Sequence, residues 1–498
     1  MRGAEPVIAA LDVGTTGVKA ALVTRDGRVV ASATAGYPTH SRAGGVMEQS
    51  PEDWWEAACQ AMQACEPGRH AVAALGLSGQ MQALIALGLH GPLRPAILYS
   101  DTRAAAELSA VERLWGKDRW WAQTGNVQDA TSLPPKLLWL QRHEPETYRS
   151  VRWILLGAHD YVTWRACGEV VTDLTTAATT GLLDLAGGRW ALEMLEALGL
   201  RTNVLPPLTS GWEVTGRLMP EAAAALHLPP GIPVIHGAGD AATTTLGAGA
   251  GDPGRGYLYL GTSGWLAQTL PGSQPQPETG LFTLRHPQPS WQLIIGPLLT
   301  AAGNLEWIRQ QLGGPSYEAL EAWARQAPPG AGGVLYLPYL AGERSPFRNP
   351  NARASFMGIG PSAGRPELVR SVLEGVAFAL RSVHEAMAPM LGAEAGATGP
   401  LGATGGGCRS DLWCEIIAAV LGRPLRRLAD PSNVGVRGAV LLAGRALGWY
   451  DTWEPSPGFF PVERNFEPEP ALVQLYEVAY GEWVRCNPYL MPEARQRG

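Results

Sequence analysis

One unit occurs twice in this chain and constrains its fold more than any other feature. Val7–Leu11 is an apolar run that predicts a buried strand, DVGTTG (12–17) a turn, and Val18–Thr24 a second strand. About half a chain later Gly256–Leu260, GTSG (261–264) and Trp265–Leu270 repeat the order strand, Gly/Thr turn, strand. Such a turn gathers backbone N–H groups and hydroxyls into a small concavity that suits phosphate oxygens. A plain hairpin with an Asx-type turn accounts for either one alone. The pair points to a duplicated α/β unit and a nucleotide clamp.

Asp12 stands at the mouth of the first turn. A carboxylate beside phosphates repels them unless a cation bridges the two, so Asp12 predicts Mg²⁺, which takes one or two carboxylates along with phosphate oxygens and water. Asp240 follows the predicted strand Val234–His236 and is flanked by Gly239 and Ala241. It is either the N-cap of a helix opening at Thr243 or a general base toward a substrate hydroxyl. SGQMQ (78–82) and SDTR (100–103) follow predicted strands, where α/β sheets place their ligands. Arg103 is either the ion-pair partner of Asp101 or a substrate contact. GATGGGCRS (402–410) is a Gly-rich turn before a helix and lacks the P-loop pattern. Basic residues are almost all Arg; the three Lys stand at 19, 117 and 136. Lys persists where a compact ammonium fits and a guanidinium fork does not.

The 498 residues suggest about three domains or two large ones. Ser50-Pro51-Glu52-Asp53 predicts a helix start with Ser50 as N-cap, running to about Cys65. Further helices are expected near 104–115, 135–143, 302–312, 316–327, 365–391, 409–421 and 470–485. The net charge of −6 and the absence of a long basic stripe argue against nucleic-acid binding. Six cysteines without a CxxC pair read as free thiols of a reducing, cytoplasmic setting. No window approaches 18 continuous apolar residues, so neither a membrane span nor a signal peptide is expected.

Taken in order, LDVGTTGVKA (11–20), SPEDWW (50–55), GLSGQMQ (76–82), RPAILYSDTRA (94–104), PKLLWLQRHEPE (135–146), GAGDAA (237–242), LGTSG (260–264), LPYLAGERSP (337–346), LEGVAFAL (373–380) and GGGCRSDLW (405–413) resemble the FGGY family of carbohydrate kinases over nearly the whole chain. The resemblance implies an α/β, two-domain actin-like (ribonuclease H-like) ATPase fold with an interdomain cleft. Residues 1–246 would form a sugar-binding N-terminal domain carrying the first phosphate loop. Residues 247–498 would form a nucleotide-binding C-terminal domain carrying the second. It implies ATP and Mg²⁺ as cofactors, and compatibility with a homodimer. Asp240 would be the catalytic base and Asp12 the acid nearest the metal. Thr15, Thr16 and Lys19 would serve the first phosphate loop, Gly261, Thr262 and Ser263 the second, and Gly406, Gly407 and Ser410 the nucleotide turn. Gln80, Met81, Gln82, Asp101, Arg103, Asp240 and Ala241 would face the sugar.

The same resemblance implies transfer of phosphate from ATP to a sugar hydroxyl, with D-xylulose to D-xylulose 5-phosphate as the first expectation. Family members that act on xylulose usually carry His where this chain has Gln82 and Asn where it has Ala241. Losing two polar groups from a hydroxyl-reading pocket loosens or redirects specificity. Another ketose, a polyol or a sugar acid is therefore the alternative substrate. The competing functions are a non-catalytic sugar- or nucleotide-binding relative and an actin-like ATPase acting on a polymer or chaperone client. The latter would have no use for the stretches at 76–82 and 94–104.

Overall fold

The computed structural model describes residues 5–272, 274–391, 399–456 and 458–490. Its first strand, β1 (Pro6–Val13), runs two residues beyond the predicted end, so Asp12 belongs to the strand and only residues 14–16 turn. β2 (Gly17–Thr24) pairs antiparallel with β1, Asp12 opposite Lys19, and β3 (Val29–Gly36) pairs antiparallel with β2. α1 (Pro51–Ala64) buries Trp54, Trp55, Ala58, Ala61 and Met62, an apolar face at helical spacing. Ser50 precedes it in an extended conformation but makes no side-chain cap; its carbonyl accepts from Asp53 N at 3.1 Å instead. Pro at the first helical position leaves one fewer N–H for the hydroxyl to satisfy.

β4 (Ala71–Gly79), α2 (Leu133–His143), α3 (Ala158–Cys167), α4 (Leu174–Thr179), β5 (Val214–Arg217), β6 (Pro233–Gly239) and α5 (Asp240–Gly247) follow. The six-stranded sheet has the order β5-β6-β4-β1-β2-β3. β1, β4 and β6 run parallel, and their register puts Val13 beside Gly79 and Gly79 beside Gly239. Three carboxyl ends thus meet in one row, where open α/β sheets bind ligands.

β7 (Gly256–Leu260), β8 (Gly264–Leu270), β9 (Phe282–Arg285), β10 (Gln292–Leu298), α6 (Ala302–Gln311), α7 (Arg365–Leu391), β11 (Leu401–Thr404), α8 (Asp411–Leu421) and β12 (Leu425–Leu428) build the second half. β7 pairs antiparallel with β8 and parallel with β11, just as β1 pairs antiparallel with β2 and parallel with β4. The repeat seen in two short turns is therefore a repeat of topology. Then α9 (Val434–Ala446) packs on β1, β4 and α5, and β13 (Val462–Phe466) closes the second sheet, of order β9-β10-β8-β7-β11-β12-β13.

Two units result. One takes the chain up to Gly247, then Thr283–Leu293 and Ser432–Phe460; the other takes Ala248–Phe282, Ile294–Pro431 and the chain from Pro461 on. Each has its own core, one around Leu11, Trp54 and Leu77, the other around Leu258, Phe378 and Trp413. No helix among the described residues is long and apolar enough to cross a membrane.

Candidate active site

The strand register brings together residues that the sequence scatters over more than 200 positions. Asp12 Oδ1 accepts from Ser78 Oγ at 2.8 Å, and Ser78 Oγ lies 2.7 Å from Thr243 Oγ1. Asp240 is the first residue of α5, so it opens the helix rather than capping it from outside. It is half-buried at the end of β6. Burial, with Asp12 and Asp173 nearby, pushes its pKa up to about 7 against the pull of the Ala241 N–H. Asp12 is also raised, by burial first, with Ser78, His159 and Lys19 acting the other way. Two carboxylates raised by burial, one of them further by the other, make a site short of positive charge.

That shortage is what Mg²⁺ would relieve. Asp12 offers one oxygen already oriented by Ser78, and Asp240 lies close enough to repel it electrostatically. One or two carboxylates with room left for phosphate oxygens match the donor set Mg²⁺ prefers. Gly435, in the first turn of α9, reinforces the fit: a Cβ there would collide with Asp12 Oδ2. Residues 433–444 are a Gly/Ala-rich run, and nothing local in it shows that it returns to Asp12.

Thr15 and Thr16 occupy the β1–β2 turn, Thr15 half-buried and Thr16 exposed. Thr15 O accepts from Gln49 Nε2 at 2.7 Å. Gln49 Oε1 in turn accepts from Gln80 Nε2 at 2.8 Å and from Trp54 Nε1 at 2.9 Å. Gln49, which sequence reasoning passes over, thus ties the turn to the 78–82 loop. Gln80 is buried, whereas Met81, Gln82 and Ala241 are partly open. Gln82 has φ of 59°, a left-handed conformation a non-Gly residue adopts at some cost, typical of functional loops.

Asp101 and Arg103 satisfy one another. Arg103 Nε and Nη2 donate to Asp101 at 2.9 and 2.7 Å, Met47 N donates to Asp101 Oδ2 at 2.6 Å, and Arg103 Nη1 pairs with Glu48 at 2.8 Å. Of the two readings of Arg103, the ion pair is present. Beneath this loop lies Lys136, buried, with Nζ donating to Leu98 O at 2.7 Å and Gln82 O at 3.4 Å. Burial lowers its pKa to about 7, opposed by Asp101 and Asp129. A guanidinium fork would not fit there, which accounts for one of the three retained lysines. Lys117 lies over the Trp121 ring, 4.6 Å from its centroid.

The second unit holds a cavity of about 690 Å³ lined by Gly261, Thr262, Gly406, Gly407 and Ser410, with apolar walls from Leu305, Leu373 and Trp413. It falls in the size range of small-molecule and cofactor sites. Two Gly-rich turns some 145 positions apart, 261–264 and 406–410, meet here. Ser410 also caps α8, accepting from Trp413 N at 3.1 Å. Ser263 is exposed at the tip of its turn, its carbonyl accepting from Gly261 N at 2.9 Å.

Family models match both halves: the N-terminal domain of the FGGY family of carbohydrate kinases over residues 7–247 and its C-terminal domain over 257–447. The chain belongs to the FGGY family of carbohydrate kinases. Among its FGGY relatives, the xylulose kinase of Escherichia coli (strain K12) is 37% identical over 420 residues, covering 83% of this chain and 85% of that one. A solved xyloylose kinase from Brucella ovis superposes with a TM-score of 0.87 at 33% identity, covering 97% of this chain and 99% of the other. A gluconate kinase from Lactobacillus acidophilus superposes with a TM-score of 0.89 at 26% identity, over 99% and 100%. The chain has the two-domain FGGY fold of mixed α/β content.

Proposed function

We propose that this kinase transfers the γ-phosphoryl group of ATP to a hydroxyl of D-xylulose, giving D-xylulose 5-phosphate and ADP. The observation that carries the reading is Asp240: a carboxylate at the end of a parallel strand, facing the Asp12 side, with a pKa of about 7. A general base works best when its pKa is near the working pH. Asp240 accepts the hydroxyl proton as that oxygen attacks the γ-phosphorus and ADP leaves. Phosphoryl transfer needs positioning and charge neutralisation more than covalent help from the protein. Thr15, Thr16 and Lys19 would supply hydroxyls, backbone N–H groups and a cation to phosphate oxygens, and Gly261, Thr262, Ser263 and the 406–410 turn would hold the nucleotide. Asp12 would hold Mg²⁺, which would supply positive charge to offset the phosphate oxygens.

Gln80, Met81, Gln82 and Ala241 would read the sugar, with Lys136 Nζ holding the Gln82 carbonyl. The E. coli and Brucella ovis relatives support xylulose, while the gluconate kinase of the same fold keeps a sugar acid as the second reading. Ala241 and Gln82 favour that second reading, since both depart from the usual xylulose pattern. Six free cysteines fit a reducing cytoplasm. ADP release measured over ketoses, polyols and sugar acids decides: the highest kcat/KM on xylulose supports the first reading, and gluconate above xylulose replaces it.

A further inference from the structure

Next to the two catalytic-side carboxylates lies a group of four ionisable side chains that phosphoryl transfer does not use. His159, Asp160, Asp173 and His236 are all fully buried, at 1% exposure or less. Their facing atoms, one from each residue, lie within 4.8 Å of one another. His159 Nε2 is 2.9 Å from Asp173 Oδ2 and 3.4 Å from Asp160 Oδ1. His236 Nε2 is 3.3 Å from Asp160 Oδ1 and 3.8 Å from Asp173 Oδ2.

Three of the four side chains are held from behind; His159 Nδ1 has no partner. Asp160 Oδ2 accepts from Leu156 N and Gly157 N at 2.9 and 3.1 Å, turning Oδ1 inward. Asp173 Oδ1 accepts from Thr175 N and Thr176 N at 2.9 and 3.0 Å, turning Oδ2 inward. Thr163 Oγ1 donates to His159 O at 2.8 Å, so it accepts from His236 Nδ1–H at 2.9 Å. A neutral His236 ring would then aim its Nε2 lone pair at two carboxylates; burial alone disfavours a proton there, but Asp160 and Asp173 push its pKa up to about 9. Neither His236 Nε2 nor Asp160 Oδ1 makes a hydrogen bond. A buried lone pair facing buried anions needs either a proton or a metal cation between them.

We propose that His159, Asp160, Asp173 and His236 form a closed four-ligand site for a zinc-class divalent cation. Four ligands about 2.0–2.1 Å from such an ion in tetrahedral array are about 3.3 Å from each other. Four of the six separations scatter around that edge, and the other two are no more than 4.8 Å. Two neutral imidazoles and two carboxylates balance a dication, and imidazole nitrogen suits zinc better than magnesium. The backbone and Thr163 contacts are the outer hydrogen bonds that orient metal ligands. Four protein ligands leave no open position, so the ion is structural. It would brace β6, which carries His236 four residues ahead of Asp240, against the start of α4.

Protons on both Nε2 atoms would meet the same electrostatic need, and the test separates the two. The full chain is refolded with Zn²⁺ or Co²⁺, freed of excess metal by gel filtration and assayed for metal content. The site predicts about one equivalent per chain and the visible spectrum of four-coordinate Co²⁺. H159Q and H236Q, checked for fold by circular dichroism, lose both; D12N, at the proposed Mg²⁺ site, keeps both. Wild-type protein holding less than about a tenth of an equivalent, a six-coordinate cobalt spectrum, or D12N releasing the ion would overturn the site. If either His variant fails to fold, the wild-type metal content and cobalt spectrum decide. Kinase activity is not the readout, so this site and the phosphoryl-transfer reading fail separately.

Discussion

Asp240 holds its proton up to about pH 7, whereas an unfolded Asp releases it near 3.8. The folded state therefore binds more protons between those values, and this carboxyl's contribution to stability is complete below 3.8 and lost as pH rises through 7. One pKa unit is about 1.4 kcal/mol. D240N, which never ionises, should accordingly be more stable than wild type at pH 8 in metal-free buffer, by on the order of 1 kcal/mol or more. At pH 4 the gain should vanish. Urea titrations at the two pH values check this, and a variant less stable than wild type at pH 8 would contradict it. Gly435 is the second residue-scale test. A methyl there must displace Asp12 or α9, so G435A should lose roughly 10²-fold in kcat while remaining folded. Asp12 and Asp240 are legible in the sequence because each closely follows a predicted apolar strand, with a glycine within two residues. Gln49, Gly435 and His236 are not, because their partners lie in remote segments that no local pattern specifies.

Elements were legible where hydrophobic period and turn chemistry agree. β1, β2, β7 and β8 are apolar runs around Gly/Thr turns, and α1 and α7 carry clear helical spacing. The helix Lys117–Thr124 was missed because its apolar positions are few. The short strands β11 to β13 were missed because their pairing partners, not their composition, make them strands. Packing of α5 on α9 was beyond reach for the same reason. It depends on glycines: a Cβ at Gly247 would meet Val434 O, and one at Gly438 would meet Thr243 O. G438A should therefore destabilise the protein by about 1–3 kcal/mol, read as a lower urea midpoint. Lys136 makes the loop-scale prediction. K136M removes the ammonium shared by Gln82 O and Leu98 O. KM for the sugar should rise several-fold while KM for ATP stays within about twofold, because only the sugar-side loop is released.

Across the whole molecule, the first unit is not one stretch of chain. α9, at residues 434–446, packs on β1, β4 and α5, and its residues 434–444 are buried. A fragment ending at Gly247 contains every strand of the first sheet but exposes the surface that α9 covers. It should show no cooperative thermal transition, whereas the full chain does. Circular dichroism on the two decides, and cooperative melting of the fragment would contradict the assignment of α9.

Steady-state kinetics of D240N at saturating Mg²⁺ test the central claim most directly. With Asp240 as the base, sugar-dependent ADP release should fall about 10²- to 10⁴-fold, while KM for ATP holds, since the nucleotide turns belong to the other unit. Turnover within about tenfold of wild type would remove Asp240 from the reaction.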